Sequence, residues 1–149
     1  MDLDEVDRKI LKILQADGRL ALSEIARRLN MGNATIHERV NSLESQGYIR
    51  QYRAVLDAEL LSIDQVAFVR VKTNAGHFSK VAERLAEEAA IQEIHEITGD
   101  ADLLLKVRVR EQAVLSELLA TIGSYDGVTE TATEVALRSV KEEYDLNLE

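Results

Sequence analysis

The stretch from residue 23 to 49 constrains the fold more than any other part of the chain, because it contains two short sets of apolar residues at helical spacing. The first set lies within 25–29 and the second within 36–43. The connection at 30–33 includes a Gly and two Asn, which tolerate left-handed backbone and can cap helices. Two short amphipathic helices joined this tightly predict a helix-turn-helix unit, although a solvated hairpin of two helices would show the same pattern.

The second predicted helix has one apolar face and one outward face. Ile36, Val40 and Leu43 recur at i, i+4 and i+7, so they are predicted to be buried. Most of the outward side chains lie near the N-terminal end, which is the end that a recognition helix inserts into the major groove of DNA. The candidate DNA contacts on this helix are Asn33, Ala34, Thr35, His37, Glu38, Arg39 and Asn41.

The flanking segments complete a small domain. A first helix is predicted from Asp4, a favourable N-cap, to Asp17-Gly18, with an apolar face that packs on the other two helices. Residues 48–56 are rich in β-forming side chains and predict a strand or a strand pair that forms a wing. Arg50 and Arg53 would then contact DNA phosphates, which position a protein without specifying sequence. A solvated strand face is the alternative for these two arginines.

The pattern changes beyond residue 64. Strands are predicted at 65–73, 91–98, 101–109 and 128–140, and helices at 78–89 and 111–122. The order βαββαβ is that of a ferredoxin-like domain, in which two helices cover one face of a four-stranded antiparallel sheet. The sequence therefore predicts an α+β chain, with a winged helix-turn-helix domain at 1–56, a hinge at 57–64 and a ferredoxin-like βαββαβ domain at 65–149.

The second face of the predicted sheet bears on assembly. Leu103, Leu105 and Val107 share one face of their strand, while Leu104 lies on the other. Apolar residues on both faces imply that the face without helices is also covered, most simply by a second copy of the chain. The sequence thus predicts a homodimer through this domain.

Charge and composition exclude several function classes. Residues 1–56 hold nine Lys/Arg and eight Asp/Glu, whereas the whole chain has a net charge of -9, so the second domain is acidic and would repel DNA phosphates. The chain has no cysteine, and His37, His77 and His95 lack the spacing of metal ligands, so we expect no disulfide, metal or cofactor. It has no long apolar run and no export signal, so we expect a cytoplasmic protein without membrane contact.

Four segments together carry a resemblance to a known family. They are 3–11 (LDEVDRKIL), 23–26 (SEIA), 39–49 (RVNSLESQGYI) and 98–102 (TGDAD). With these segments in order along nearly its whole length, the chain resembles the Lrp/AsnC family of feast/famine regulators. The resemblance implies a transcription regulator that binds double-stranded DNA and forms homodimers, which often assemble further, commonly to octamers. It also implies a small-molecule effector, usually an amino acid, bound between dimers by the second domain.

The resemblance further implies where the effector binds, at the loop after the second strand and near a Thr-x-Thr on the last strand. An amino acid needs an acceptor for its ammonium and N–H donors for its carboxylate, and a Gly-containing turn flanked by carboxylates offers both. Hairpin-turn chemistry and strand propensity are the alternative explanations. The candidate effector contacts are Gly99, Asp100, Ala101, Asp102, Thr131 and Thr133.

The chain departs from the family pattern on the recognition helix. Gly32-Asn33 stands where the family often has Ser-Pro, and Glu38 and Ser42 stand where it often has basic residues. Fewer cations there mean fewer phosphate contacts, and the sequence therefore predicts modest DNA affinity per dimer. Several dimers acting together would offset this.

Two other function classes remain open from the sequence. One is an enzyme similar to the sirohaem decarboxylases, in which His95 with Arg70 or Arg108 would bind the acidic side chains of a tetrapyrrole. The other is a ligand-sensing assembly partner with weak DNA binding. Because the outward face of the second helix is polar and small, as DNA reading requires, we expect the regulator and no catalytic residues.

Overall fold

The computed structural model describes residues 3–149, which form two compact units. The first unit runs to Val55 and also includes Glu143–Glu149, and the second is Leu56–Glu142. Residues 1 and 2 of the predicted first domain lie outside the described residues. The prediction assigned all of 65–149 to the second domain, but the last seven residues, Glu143–Glu149, group with the first unit.

The first unit contains three helices, as predicted. They are α1 (Glu5–Ala16), α2 (Leu22–Leu29) and α3 (Asn33–Ser45). The N-cap of α1 is Asp4, whose side chain accepts the N–H of Asp7 while the Asp7 side chain accepts the N–H of Asp4. The tight connection is made by Asn30, which ends α2 in the left-handed conformation at φ 52°.

The three helices share one small core. Burying a Leu or Ile side chain stabilises a fold by about 1.5–3 kcal/mol, so these contacts fix the packing of the helices. The predicted apolar face of α3 is confirmed. The buried residues of this core are Ile10, Leu14, Ile25, Ala26, Ile36, Val40 and Leu43.

The predicted wing strand is wrong for the single chain. Within the described residues, none from 48 to 56 lies in a strand. A strand needs a neighbour to complete its hydrogen bonds, and β-forming side chains alone do not supply one. The segment is held by side chains instead, since the Tyr52 hydroxyl donates to Glu44 at the end of α3, at 2.9 Å.

The second unit has the predicted βαββαβ order. Its elements are β1 (Gln65–Thr73), α4 (Phe78–Leu85), β2 (Ile91–Glu96), β3 (Leu103–Val109), α5 (Gln112–Gly123) and β4 (Val128–Val135). The strands form one antiparallel sheet in the order β2-β3-β1-β4. The ferredoxin-like prediction is confirmed.

Several elements are shorter than predicted. The last strand ends at Val135 rather than at residue 140, because β1, its partner in the sheet, begins at Gln65. The N–H of Ala136 donates to the carbonyl of Val66, at 2.9 Å, at the end of this pairing. The helix α4 ends at Leu85 rather than at 89, in a short turn. The strands predicted at 91–98 and 101–109 are also shorter in the structure, because the backbone between β2 and β3 forms a turn in which the Ile97 N–H donates to the Asp102 carbonyl.

Both helices of the second unit pack on the same face of the sheet. Val69, Val71 and Leu105 are fully buried beneath them. Phe68, on the other face of β1, is 38% exposed. We call this other side the open face. The open face carries Phe68, Arg70 and Lys72 on β1 and Leu104, Lys106 and Arg108 on β3.

Candidate DNA interface and effector site

The outward face of α3 presents the predicted reading surface. Six of the seven candidates on this helix are exposed, while Ile36 and Val40 anchor the helix from beneath. The N-cap Gly32 has extended backbone, so the first turn of α3 begins directly at the tight connection. The exposed candidates are Asn33, Ala34, Thr35, His37, Glu38 and Asn41.

Arg39, the seventh candidate, is different because it faces the first helix. Its Nη1 donates to Asp4 Oδ2 and to Asp7 Oδ1, each at 2.7 Å. The Arg39 side chain is 30% exposed and that of Asp7 is 15% exposed. The pKa of Asp4 is held below its usual range, first by the hydrogen bond from the Asp7 N–H and then by the one from Arg39. Arg39 therefore ties α3 to the capped end of α1.

Helix α2 carries two exposed arginines that the sequence analysis did not include among the DNA candidates. Arg27 and Arg28 both donate to the carboxylate of Glu24, at 2.7–2.9 Å. These bonds, first that from Arg27 and then that from Arg28, lower the pKa of Glu24 to about 2. The signal in the sequence was the i, i+3, i+4 spacing on one turn of the first helix of the helix-turn-helix.

Arg50 and Arg53, the predicted phosphate contacts, lie on the irregular segment after α3, and both are exposed. The guanidinium carbon of Arg53 lies 4.8 Å from the centroid of the Tyr144 ring, a cation-π contact. Tyr144 belongs to Glu143–Glu149, which packs in the same unit. The sequence did not indicate this contact, because nothing local to residue 53 points to residue 144.

The predicted effector loop folds tightly onto the end of β1. The Asp102 carboxylate accepts the backbone N–H of Thr73 at 2.7 Å and the Thr73 hydroxyl at 3.0 Å. Gly99 has a φ of +116°, which favours glycine. Ala101 is buried, at 7% exposure. Asp102 thus holds the loop in place and leaves Asp100 as the freer of its two carboxylates.

A surface pocket of about 220 Å³ lies beside this loop. It brings together two of the predicted loop residues and the ends of β1 and β4 on the open face. Its charges are paired across the two strands, because Lys72 Nζ lies 3.0 Å from Glu130 and Arg70 forms an ion pair with Glu134. The residues lining it are Arg70, Lys72, Asp100, Ala101, Glu130 and Ala132.

Thr131 and Thr133 are not brought to this pocket. In the register of β1 and β4, Thr131 is opposite Val71 and Thr133 is opposite Val69, both on the face covered by helices. Because side chains alternate along a strand, Glu130 and Ala132 are the β4 residues on the pocket side. The sequence of β4 alone does not indicate which alternate pair faces the pocket, since the register of an edge strand is not visible in its own sequence.

Comparison with known proteins decides what kind of chain carries these features. The family model described as the Lrp/AsnC ligand binding domain matches residues 66–146, and the one described as winged helix-turn-helix DNA-binding matches residues 3–50. The chain belongs to the Lrp/AsnC family. It is 42% identical over 144 residues to the HTH-type transcriptional regulator FL11 of Pyrococcus horikoshii, and the matched residues cover 97% of this chain and 95% of that protein.

Other members of the Lrp/AsnC family are similar to this chain over nearly its whole length. The leucine-responsive regulatory protein of Klebsiella pneumoniae is 37% identical, over 95% of this chain and 88% of its own. The AsnC family transcriptional regulator of Agrobacterium tumefaciens has a TM-score of 0.91 at 26% identity, covering 98% of this chain and 97% of that one. A transcriptional regulator of Neisseria meningitidis solved as its L-Met complex has a TM-score of 0.92 at 29% identity, covering 99% and 97%.

This Lrp/AsnC member is a DNA-binding transcription regulator and not an enzyme, as its named relatives are regulators. Two of the residues considered for a tetrapyrrole enzyme are engaged with carboxylates, Arg108 with Glu142 and His95 with Glu93, the latter at 3.0 Å. Among residues 3–149 no group of three or more His, Cys, Asp or Glu side chains is arranged to hold a metal ion. Nor, in the same residues, does any helix have the length and apolar character to cross a membrane.

Proposed function

We propose that this regulator reads DNA with the exposed face of α3 and changes its DNA affinity when an amino acid occupies the pocket beside 99–102. The single observation that carries the effector half is the pocket itself, which joins Asp100 to cations on β1. The complex of the neisserial regulator with L-Met supports an amino acid as the class of ligand.

The chemistry of the pocket suits a small zwitterion. Asp100 and Glu130 are acceptors for an α-ammonium group, and Arg70 and Lys72 are donors for an α-carboxylate. Pockets that bind drug-sized ligands have volumes of about 300–1,000 Å³. This pocket is smaller, at about 220 Å³, and its size favours a single amino acid. Ala101 and Ala132 supply small apolar surface for the side chain.

The DNA half of the proposal assigns roles to the cations around α3. Base contacts come from the exposed residues near the start of α3, such as Asn33, Thr35 and His37. Phosphate contacts come from Arg50 and Arg53 and from the exposed arginines of α2. We assign Arg39 a positioning role, because its guanidinium is engaged with two carboxylates of the α1 cap.

We also propose that a second copy covers the open face and that dimers assemble further, to an octamer. Leu104 is half-buried and Phe68 is 38% exposed on this face, although no helix within residues 3–149 covers them. Such apolar surface between paired charges suits a self-complementary interface. Phe68→Glu should convert the dimer to monomer in sedimentation at fixed concentration, and an unchanged mass would refute this interface. Val114→Glu, on an exposed position of α5, is the matched control.

Direct titration of amino acids into the full-length protein tests the pocket. We expect one class of amino acid to bind and Asp100→Asn to weaken that binding at least tenfold, since the ammonium loses its anionic partner. Asp126→Asn, a matched change at an exposed turn of the same unit, should bind like the original protein. Equal binding by Asp100→Asn would place the ligand elsewhere.

A further inference from the structure

The segment Glu143–Glu149, which we call the tail, packs on α1 in the first unit. The Gln15 amide makes two hydrogen bonds to one residue of the tail: its Nε2 donates to the Leu146 carbonyl and its Oε1 accepts the Leu146 N–H, both at 2.9 Å. A side-chain amide paired in this way imitates the bonding of a neighbouring strand. The tail is therefore fixed at a defined point of the first unit.

The second fixed point of the tail is Tyr144, whose ring lies against Arg53. The guanidinium carbon is 4.8 Å from the ring centroid, within the range of a cation-π contact. Tyr144 is 52% exposed, so the contact lies at the surface. Arg53 is also one of the two arginines to which we assign DNA phosphates. A stacked guanidinium keeps its N–H edge for a phosphate, so the competition comes from the place at which the ring holds the side chain and from the acids of the tail beside it.

The charge of the tail adds to this competition. The tail contains Glu143, Asp145 and Glu149 and no Lys or Arg. Residues 1–56 carry nine basic and eight acidic side chains, so docking three more acids makes the DNA-binding unit net acidic. Acidic groups near a phosphate-binding surface repel DNA, within the screening length of about 10 Å at ordinary salt.

We propose that the surface formed by Gln15 and Arg53 is a docking site for the tail of this same chain, and that the docked tail competes with DNA for Arg53. Undocking frees one cation for a phosphate and moves three acids away. The inference rests on the proposed phosphate role of Arg53, and it adds an intrachain competitor that the DNA-binding function does not require.

The test is DNA affinity measured by fluorescence anisotropy with a random-sequence duplex over a range of salt concentrations. Tyr144→Ala in the full chain should bind about two- to fivefold more tightly, the size of one surface cation-π contact. One additional phosphate contact should steepen the slope of log affinity against log salt by about 0.9. Tyr144→Phe keeps the ring and should change both quantities less than Tyr144→Ala.

Two further variants make the result specific to the docking site. Gln15→Ala removes both bonds to Leu146 without touching Arg53, and it should also tighten DNA binding. Arg53→Ala should weaken binding and flatten the slope by about 0.9. In the Arg53→Ala background, Tyr144→Ala should leave the salt slope unchanged, because the cation that the ring held is gone.

The possible failures are distinguishable. If Arg53→Ala weakens binding but Tyr144→Ala and Gln15→Ala do not tighten it, the tail does not compete and only this inference falls. If Tyr144→Ala weakens binding, the ring presents Arg53 to DNA, which also overturns the inference. If Arg53→Ala changes neither affinity nor slope, the phosphate role of Arg53 and the competition fail together, while the base-reading role of α3 stands.

Discussion

Arg39 on the recognition helix lies 2.7 Å from Asp7 on α1, between Nη1 and Oδ1, and the same nitrogen reaches Asp4. The pair joins the helix to which we assign DNA reading to a helix that supports it. Because Asp7 is mostly buried, at 15% side-chain exposure, removing Arg39 would leave a carboxylate with less than its native bonding. The orientation of α3 therefore depends on the N-terminal cap of α1.

The positioning role of Arg39 predicts whether a substitution at Asp7, its partner, raises or lowers DNA affinity. Asp7→Ala should lower DNA affinity and reduce the free energy of unfolding by about 1–3 kcal/mol, because Arg39 loses a hydrogen-bonded partner and α1 loses half of its capping box. If Arg39 instead contacted a phosphate, freeing it from Asp7 would raise DNA affinity. Glu5→Ala, which removes only an exposed i,i+4 pair with Lys9, is the control.

The low pKa of Glu24 predicts an acid-dependent loss of stability in α2. Hydrogen bonds from Arg27 and then Arg28 lower it from 4.5 to about 2, so the ionised carboxylate is favoured in the folded state. Its stabilisation is fully present above pH about 4.5 and is lost as the pH falls toward 2. Carbon-detected NMR titration of the Glu24 carboxyl should give a midpoint near 2, and Arg27→Ala should raise it. A midpoint at the ordinary value in the original protein would show that the pairs are not populated.

The two aspartates of the effector loop should have separable roles. Asp102→Ala removes two bonds to Thr73 and should destabilise the protein by about 1–3 kcal/mol in urea unfolding. Asp100→Ala, at the pocket, should change stability by less than about 0.5 kcal/mol while weakening the ligand. If Asp100 proved the more destabilising of the two, the division between a structural and a binding aspartate would be wrong.

Substitution of Gly127 should have a steric cost that substitution of Gly123, the matched glycine, does not have. The φ of Gly127 is +96°, and an added Cβ would lie 2.8 Å from the Cβ of His77. Gly127→Ala should therefore cost at least about 1–3 kcal/mol in thermal or urea unfolding. Gly123→Ala, at the end of α5 with nothing within 4 Å, should be neutral or slightly stabilising. Equal effects of the two substitutions would contradict this account of the turn before β4.

The sequence was sufficient for the elements whose signal is local. The apolar residues of α3 recur every turn and are buried as predicted. The alternation on β3 put Leu103 and Leu105 on one face, as predicted, and the structure shows that this is the face beneath the helices. The ferredoxin-like class also followed, because the βαββαβ pattern allows few topologies. These features depend on periodicity within one segment, which the chain displays directly.

The features that no single segment indicates depend on a partner far along the chain. The side of β4 that faces the pocket is set by its register with β1, which places Glu130 and Ala132 there and Thr131 on the other face. Residues 48–56 formed no strand because the chain supplies no neighbour for them. The contact between Arg53 and Tyr144 likewise spans most of the sequence. No local pattern encodes such pairings.

The most direct test of the account is anisotropy binding of the protein to DNA from upstream of its own coding sequence, at fixed salt, with and without each common amino acid. We predict binding tighter than to random DNA and a shift in affinity by one class of amino acid. That shift should disappear in Asp100→Asn and persist in Asp126→Asn. Specific DNA binding that no amino acid changes, or a shift that Asp100→Asn retains in full, would contradict effector control through this pocket.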